Sequence, residues 1–249
     1  MIKSIKQSGI VALLSAVTLL SSAAHANDEI SADDRYFYIG TEYGISDPVV
    51  NKFQDKDTKT DVEMKRSTMY GGRIGYSFYP GMMIEISATH QPKYKLGYVL
   101  HPDTLGLPKA VPGTTDMSTN VFTANLIYEL PKKFAQLQPY VIFGAGVSRI
   151  SIKSASSSVP GPQGNMEIFR IKNQTANYFT YQLGVGVTRD LGANLSLDLG
   201  ARVQVVNNLK LKYDALDKIT HVVKAQKPIK KTIAVGEFTI GLTFKIPVK

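Results

Sequence analysis

The chain of 249 residues contains no cysteine and no tryptophan. Without cysteine there is no disulfide framework, no thiolate metal site, no cysteine nucleophile and no lipidated cysteine anchor. Beyond residue 20 no apolar run reaches the ~18 residues that read as a spanning helix. A polytopic helical membrane protein is therefore excluded. Histidine is scarce, and the positions after residue 26 are only His90, His101 and His221. They form no HExxH and no paired metal spacing, and the chain has no nucleophile elbow. What the chain does have is 20 glycines, 13 tyrosines and 10 phenylalanines, with 29 basic against 20 acidic residues. Its 43% hydrophobic content is too high for a disordered chain. The length suits one domain or one barrel.

The first residues read as an address. Residues 1–6 are short and basic, residues 9–20 (GIVALLSAVTLL) are apolar, and residues 21–26 (SSAAHA) end in the small-x-small pattern Ala24-His25-Ala26. These are the three parts of a secretory signal in order. The apolar stretch is shorter than the ~20 residues of a spanning helix. Residues 1–26 are expected to be a signal peptide and residues 27–249 a single barrel domain.

From Tyr36 onward, eight segments alternate with period two: 36–45, 69–78, 83–90, 120–130, 140–148, 178–188, 195–205 and 233–244. Each is close to the ~9–11 residues with which a tilted strand crosses a bilayer. One parity is free of charge, as in Phe37-Ile39-Thr41-Tyr43 and Leu195-Leu197-Leu199-Ala201-Val203. The other carries Glu42, Arg73, Glu85, Asp198, Arg202 and Glu237, together with Asn125, Gln182 and many glycines.

Alternation alone fits a soluble calyx with its charges outside. Three features favour a membrane barrel with its charges inside. The glycines share the charged face, where they relieve crowding in a narrow lumen; on a solvated exterior they would only weaken the strands. The connections after segments 2, 4 and 6 are short, whereas those at 46–68, 91–119, 149–177 and 206–232 are long. Short turns at one rim and long loops at the other mark outer-membrane barrels. Aromatic residues cluster near segment ends as girdles: Tyr36, Phe37, Tyr70, Phe78, Tyr79, Tyr128, Tyr140, Tyr178, Phe179 and Phe244. A register slip of one residue would turn Arg73 and Arg202 into lipid, at ~2–4 kcal/mol each near the midplane. The fold class is thus all-β: an eight-stranded antiparallel transmembrane β-barrel with short periplasmic turns and four long extracellular loops. Glu42, Arg73, Glu85, Asp198, Arg202 and Glu237 are expected to form a lumen charge network, because unpaired buried charge is costly. The network reads as a structural plug, with an ion gate as the alternative.

The runs Gln138-Pro139-Tyr140-Val141, Phe143-Gly144-Ala145-Gly146-Val147, Tyr181-Gln182-Leu183-Gly184-Val185-Gly186-Val187, Leu195-Ser196-Leu197-Asp198-Leu199-Gly200-Ala201-Arg202 and Phe238-Thr239-Ile240-Gly241-Leu242-Thr243-Phe244 carry a family likeness. In their order and spacing the chain resembles the small eight-stranded outer-membrane barrels of the Opa, OmpX and OmpA-transmembrane type. Through Asn125-Leu126-Ile127-Tyr128 leading into Phe143-Gly144-Ala145-Gly146-Val147 it is most similar to rickettsial surface-adhesin barrels. The resemblance implies a bacterial outer-membrane location with loops on the cell surface. It implies an adhesin, with a structural barrel lacking a specific ligand, or a narrow porin-like channel, as alternatives. Some such barrels are lipid A deacylases with a histidine and a serine two residues apart. Thr89-His90-Gln91-Pro92 lacks that arrangement, so no enzyme and no cofactor are expected. An aromatic residue usually ends the chain in this family, whereas Phe244 is followed by Lys245-Ile246-Pro247-Val248-Lys249. Either Phe244 serves with a short tail or the assembly signal is weakened.

Function is expected in the loops. The first mixes charges to net zero. The second is stiffened by Pro92, Pro102, Pro108 and Pro112 and presents Leu100, Leu105, Leu107 and Val111 as exposed. The third begins with a Ser-rich stretch (SASSSVPGPQG) that reads as flexible. The fourth carries Lys210, Lys212, Lys218, Lys224, Lys227, Lys230 and Lys231 against only Asp214 and Asp217. This basic loop is the candidate ligand contact. The expected partners are outer-membrane lipid, lipopolysaccharide phosphates and a host surface protein or acidic polymer, met by a monomer. Nucleic acid is not expected, because no stacking aromatics are spaced among those lysines. N-terminal sequencing of protein recovered from outer membranes is expected to begin at Asn27; a chain still carrying Met1 would make residues 1–26 an anchor.

Overall fold

Strands of this kind satisfy their backbone only by pairing with one another, and in the computed structural model they do so around a ring. The structure describes residues 35–49, 52–54, 61–100, 111–131, 136–161, 164–192, 194–216 and 223–248. The signal-peptide segment lies outside the described residues. In chain order the strands are β1 (Tyr36–Pro48), β2 (Lys52–Gln54), β3 (Asp61–Met64), β4 (Ser67–Tyr79), β5 (Met82–Leu100), β6 (Val111–Glu129) and β7 (Leu137–Ile152). They continue with β8 (Ala155–Gly161), β9 (Gly164–Ile171), β10 (Gln174–Gly192), β11 (Leu195–Leu211), β12 (Tyr213–Leu216), β13 (Val223–Ala225) and β14 (Ile229–Pro247).

Antiparallel pairing runs β1–β4–β5–β6–β7–β10–β11–β14 and returns to β1, so eight strands close on themselves. Closure removes the unpaired edges that an open sheet exposes. The ring is sealed by the chain ends: Tyr36 lies opposite Pro247, Phe37 opposite Ile246, and the Val248 amide donates to the Arg35 carbonyl. Residues 245–247 are therefore barrel strand. Ile246 and Val248 continue the outward parity of Phe244.

The outer wall carries a band of exposed apolar side chains, among them Ile39, Ile74, Ile86, Phe122, Phe143, Phe179, Leu199 and Ile240. Exposed apolar area on this scale has no place in water and matches a hydrocarbon layer. Tyr36, Tyr140 and Tyr178 do not belong to its girdles. Tyr36 is half-buried on the inward parity and packs against the lumen floor. Tyr140 is buried in the lumen, and Tyr178 packs against the upper core.

β5, β6, β10 and β14 each have 19 residues, roughly 60 Å at ~3.3 Å per residue. About half of that length crosses a hydrocarbon band ~25 Å tall at the usual tilt. The remainder stands above it. The four long connections are thus largely strand. β3 pairs with the upper part of β5, while β8, β9, β12 and β13 form a separate four-stranded sheet. The Ser-rich stretch expected to be flexible is mostly β8, paired along β9. Leu100, expected to be exposed, is only 1% accessible, and Val111 is half-buried. Leu105 and Leu107 lie outside the described residues.

Those upper strands enclose an apolar core. Met64, Leu96, Tyr98, Leu100, Ile150, Ile152, Ile168, Phe169, Ile171, Leu209, Leu211 and Tyr213 are among its buried members. The interior code therefore inverts along single strands. In β5 the inward residues change from Glu85, Ser87, Thr89 and Gln91 to Tyr94, Leu96, Tyr98 and Leu100. In β11 they change from Asp198, Arg202 and Gln204 to Val206, Leu209 and Leu211. Both strands shift register at that boundary, between Gln91 and Tyr94 and between Val206 and Leu209. Such a bulge re-aims the side chains that follow it.

Lumen tyrosines lie on glycines directly opposite them in register: Tyr38 on Gly75 and Tyr140 on Gly186. A Cβ at Gly75 would fall 2.3 Å from the Tyr38 ring, whereas one at outward Gly72 meets nothing nearer than 3.7 Å. Gly75→Ala is expected to lower the unfolding free energy in urea by about 1–3 kcal/mol through overpacking. Gly72→Ala should leave it nearly unchanged; equal effects would show that the Tyr38 ring does not depend on the bare glycine beneath it.

Candidate functional site

The six inward charges sit on five strands, because strands in a barrel are staggered and each contributes only one or two of them. They divide into two clusters. Toward the periplasmic end, Arg73 of β4 lies between Glu85 of β5 (3.9 Å) and Asp198 of β11 (3.6 Å). Its Nη2 donates to Thr243 Oγ1 at 2.8 Å. Glu85 accepts from Tyr38 Oη at 3.0 Å and Asn125 Nδ2 at 2.9 Å. Asp198 accepts from Tyr140 Oη at 3.1 Å and Thr188 Oγ1 at 3.3 Å.

Higher in the lumen, Arg202 of β11 grips both oxygens of Glu42 on β1, at 2.8 and 3.3 Å. Its Nε donates to Glu237, its register partner on β14. The other oxygen of Glu237 accepts from Gln91 Nε2. Glu42, Glu85, Asp198, Arg202 and Glu237 are all buried. A bidentate fork with further donors around each carboxylate is the geometry that makes buried ion pairs tolerable. Tyr38, Tyr140 and Gln91 are site residues that strand-by-strand reading does not single out. Their parity was the available signal, since each shares the inward face of its strand.

Little space remains between these layers. Below the lower cluster, Tyr38, Met83, Ile127, Tyr140 and Ile142 form an apolar floor. The cavity there measures about 40 Å³, and the one between the two clusters about 10 Å³. Such volumes hold one or two waters. Above the upper cluster, Ser148, Thr180 and Gln204 make a hydroxyl and amide layer beneath the apolar core. The lumen is a solid stack.

The basic connection is also more ordered than a free loop. Lys210 on β11 and Lys212 between β11 and β12 are exposed, alternating with buried Leu209, Leu211 and Tyr213. Lys230 of β14 is exposed directly opposite Lys210. Lys224 lies on β13, Lys227 is exposed beyond it, and Lys231 is half-buried. Lys218 lies outside the described residues. Among the described residues, no group of three or more His, Cys, Asp or Glu side chains is placed to hold a metal ion.

With this geometry in hand, comparison with known proteins places the chain. Residues 12–244 match the family described as outer membrane protein beta-barrel domain. The chain belongs to this family. The uncharacterized protein RP788 of Rickettsia prowazekii (strain Madrid E) is 39% identical over 183 residues, spanning 72% of this chain and 99% of that protein. Among solved structures, the outer membrane protein OprG of Pseudomonas aeruginosa is similar, with a TM-score of 0.50 and 14% identity over 89% of this chain and all of that one. Neisserial surface protein A is similar at a TM-score of 0.46, with 16% identity over 84% of this chain and 97% of that one. The barrel is a bacterial outer-membrane protein. Its short turns face the periplasm and its long strand extensions stand on the cell surface.

Arg202→Leu leaves Glu42 and Glu237 buried without their cation and is expected to cost about 3–5 kcal/mol of stability. Adding Glu237→Leu should recover part of that loss in a urea-unfolding double-mutant cycle. Strictly additive losses would show that the pair is not coupled.

Proposed function

We propose that this outer-membrane barrel is a surface interaction protein, an adhesin that uses its basic extracellular wall to hold acidic polymers of a host or of the envelope. One observation carries this reading. Lys210 and Lys230 face each other across β11 and β14, exposed and in direct register. Like charges directly opposite destabilise a sheet. A polyanion lying over them relieves that repulsion and gains charge-assisted hydrogen bonds. Lys212, Lys224 and Lys227 extend the positive field along the same connection. The paired strands below hold this wall in a fixed shape, so little ordering cost attends binding.

The packed lumen favours this reading over a channel. Cells displaying the protein are expected to bind an immobilised acidic polysaccharide in a salt-sensitive way. The combined Lys210→Ala, Lys212→Ala and Lys230→Ala variant should lose most of that binding at equal surface display. Unchanged binding would leave a structural barrel without a ligand. Purified protein in planar bilayers should give no stable current; a steady conductance would favour the narrow pore.

A further inference from the structure

The lipid-facing wall is not uniform. On β7, Arg149 points outward at the upper edge of the apolar band, flanked in register by Asn120 of β6 and Asn177 of β10. It has no ion pair or side-chain hydrogen bond among the described residues. Its nearest outward acid on β6, Asp116, lies four residues higher, opposite Lys95. Asn120 Oδ1 accepts from His90 Nδ1 at 2.6 Å, which leaves the Asn120 NH₂ as a donor. Arg149 thus heads an arc of donors with no anion to meet among the described residues.

Directly beneath this arc the surface is grooved. Val147 lies between Phe122 and Phe179, which are 55% and 58% exposed and stand as walls on either side of it. One step lower, Ala145 lies between Ala124 of β6 and the exposed Tyr181 of β10, so the floor widens toward β6 and keeps a ring on the β10 side. Phe143 rises again at the foot, 54% exposed. The furrow runs from Arg149 to Phe143, roughly 20 Å at ~3.3 Å per residue. A guanidinium at a headgroup boundary, above a furrow floored by Val147 and Ala145 and flanked by Phe122, Phe179 and Tyr181, matches an amphiphile with an anionic head and an extended acyl chain.

We propose that this furrow seats a phosphorylated glycolipid of the outer leaflet, a lipid A-type molecule. Arg149 takes a phosphate, the Asn120 and Asn177 carboxamides meet sugar hydroxyls, and one acyl chain lies along Val147 and Ala145. The carboxamides on both flanks favour a sugar-bearing head over a simple phospholipid, since a lone phosphate needs only the guanidinium. This site is separate from the lysine wall and does not depend on the adhesion reading.

The test is native mass spectrometry of the full chain folded in detergent. It is titrated with bisphosphorylated lipid A, dephosphorylated lipid A, phosphatidylglycerol and inorganic phosphate. One lipid A is expected to bind per barrel. Loss of the charge-assisted contact, by Arg149→Ala or by dephosphorylating the lipid, should weaken binding by about tenfold or more. Arg149→Lys should retain part of it. Ala145→Phe, which fills the furrow without changing charge, should weaken binding as well, with Val147→Phe as its substitute if that variant fails to fold. Parent-like binding by Arg149→Ala and the filled variant overturns the proposal. So does equal binding of phosphatidylglycerol, or binding of inorganic phosphate in place of the lipid.

Discussion

An eight-stranded ring encloses room for side chains but not for the water that would hydrate a charge. Every guanidinium inside it must therefore be answered by protein. Arg202 is answered by Glu42 and Glu237, and Arg73 by Glu85, Asp198 and Thr243. The remaining carboxylate capacity is taken up by Tyr38, Tyr140, Asn125 and Gln91. These contacts form only when each strand presents its polar parity inward and stands at one particular height against its neighbours. Lumen electrostatics and the lipid-facing stripe thereby select the same register.

Above the bilayer that constraint reverses. Water replaces lipid outside the wall, and the ordinary hydrophobic effect then drives apolar residues into the barrel. Tyr94, Leu96, Tyr98 and Leu100 take over from Ser87, Thr89 and Gln91 on β5, while Lys93 and Lys95 replace Ile86 and Ala88 on its outer face. β11 does the same, with lysines succeeding Leu199 and Val203 on its outer side. The register shifts in β5 and β11 fall where one solvent gives way to the other, so the bulges act as joints between a membrane barrel and a water-soluble one built on the same strands.

The membrane part of this architecture was legible because lipid leaves a strict mark: a parity without charge, repeated in eight segments. The extracellular part was hidden by the assumption that long connections are coil. The alternation Leu209-Lys210-Leu211-Lys212-Tyr213 is a strand pattern in plain view, as is Tyr94-Lys95-Leu96-Gly97-Tyr98. Gln91-Pro92-Lys93 breaks the phase just before the second of these, and a bulge reads locally as an ending. Parity placed the six lumen charges on one face, but their division into two trios depends on strand stagger, which no single segment records. The place of Tyr140 near a strand end suggests a girdle, but it shares the inward parity of Gly144 and Gly146 and packs in the lumen on Gly186.

The alternating upper wall has a consequence for how such a surface changes over generations. A coil loop tolerates replacement nearly anywhere, but here every second residue is committed to the interior. Leu209, Leu211 and Tyr213 cannot drift without opening a void, while the exposed positions between them, Lys210 and Lys212, carry no packing constraint. Diversification under selection on the exposed face is thus channelled into a comb of alternate positions, and related strains should differ in the chemistry they display while keeping one backbone on which to display it.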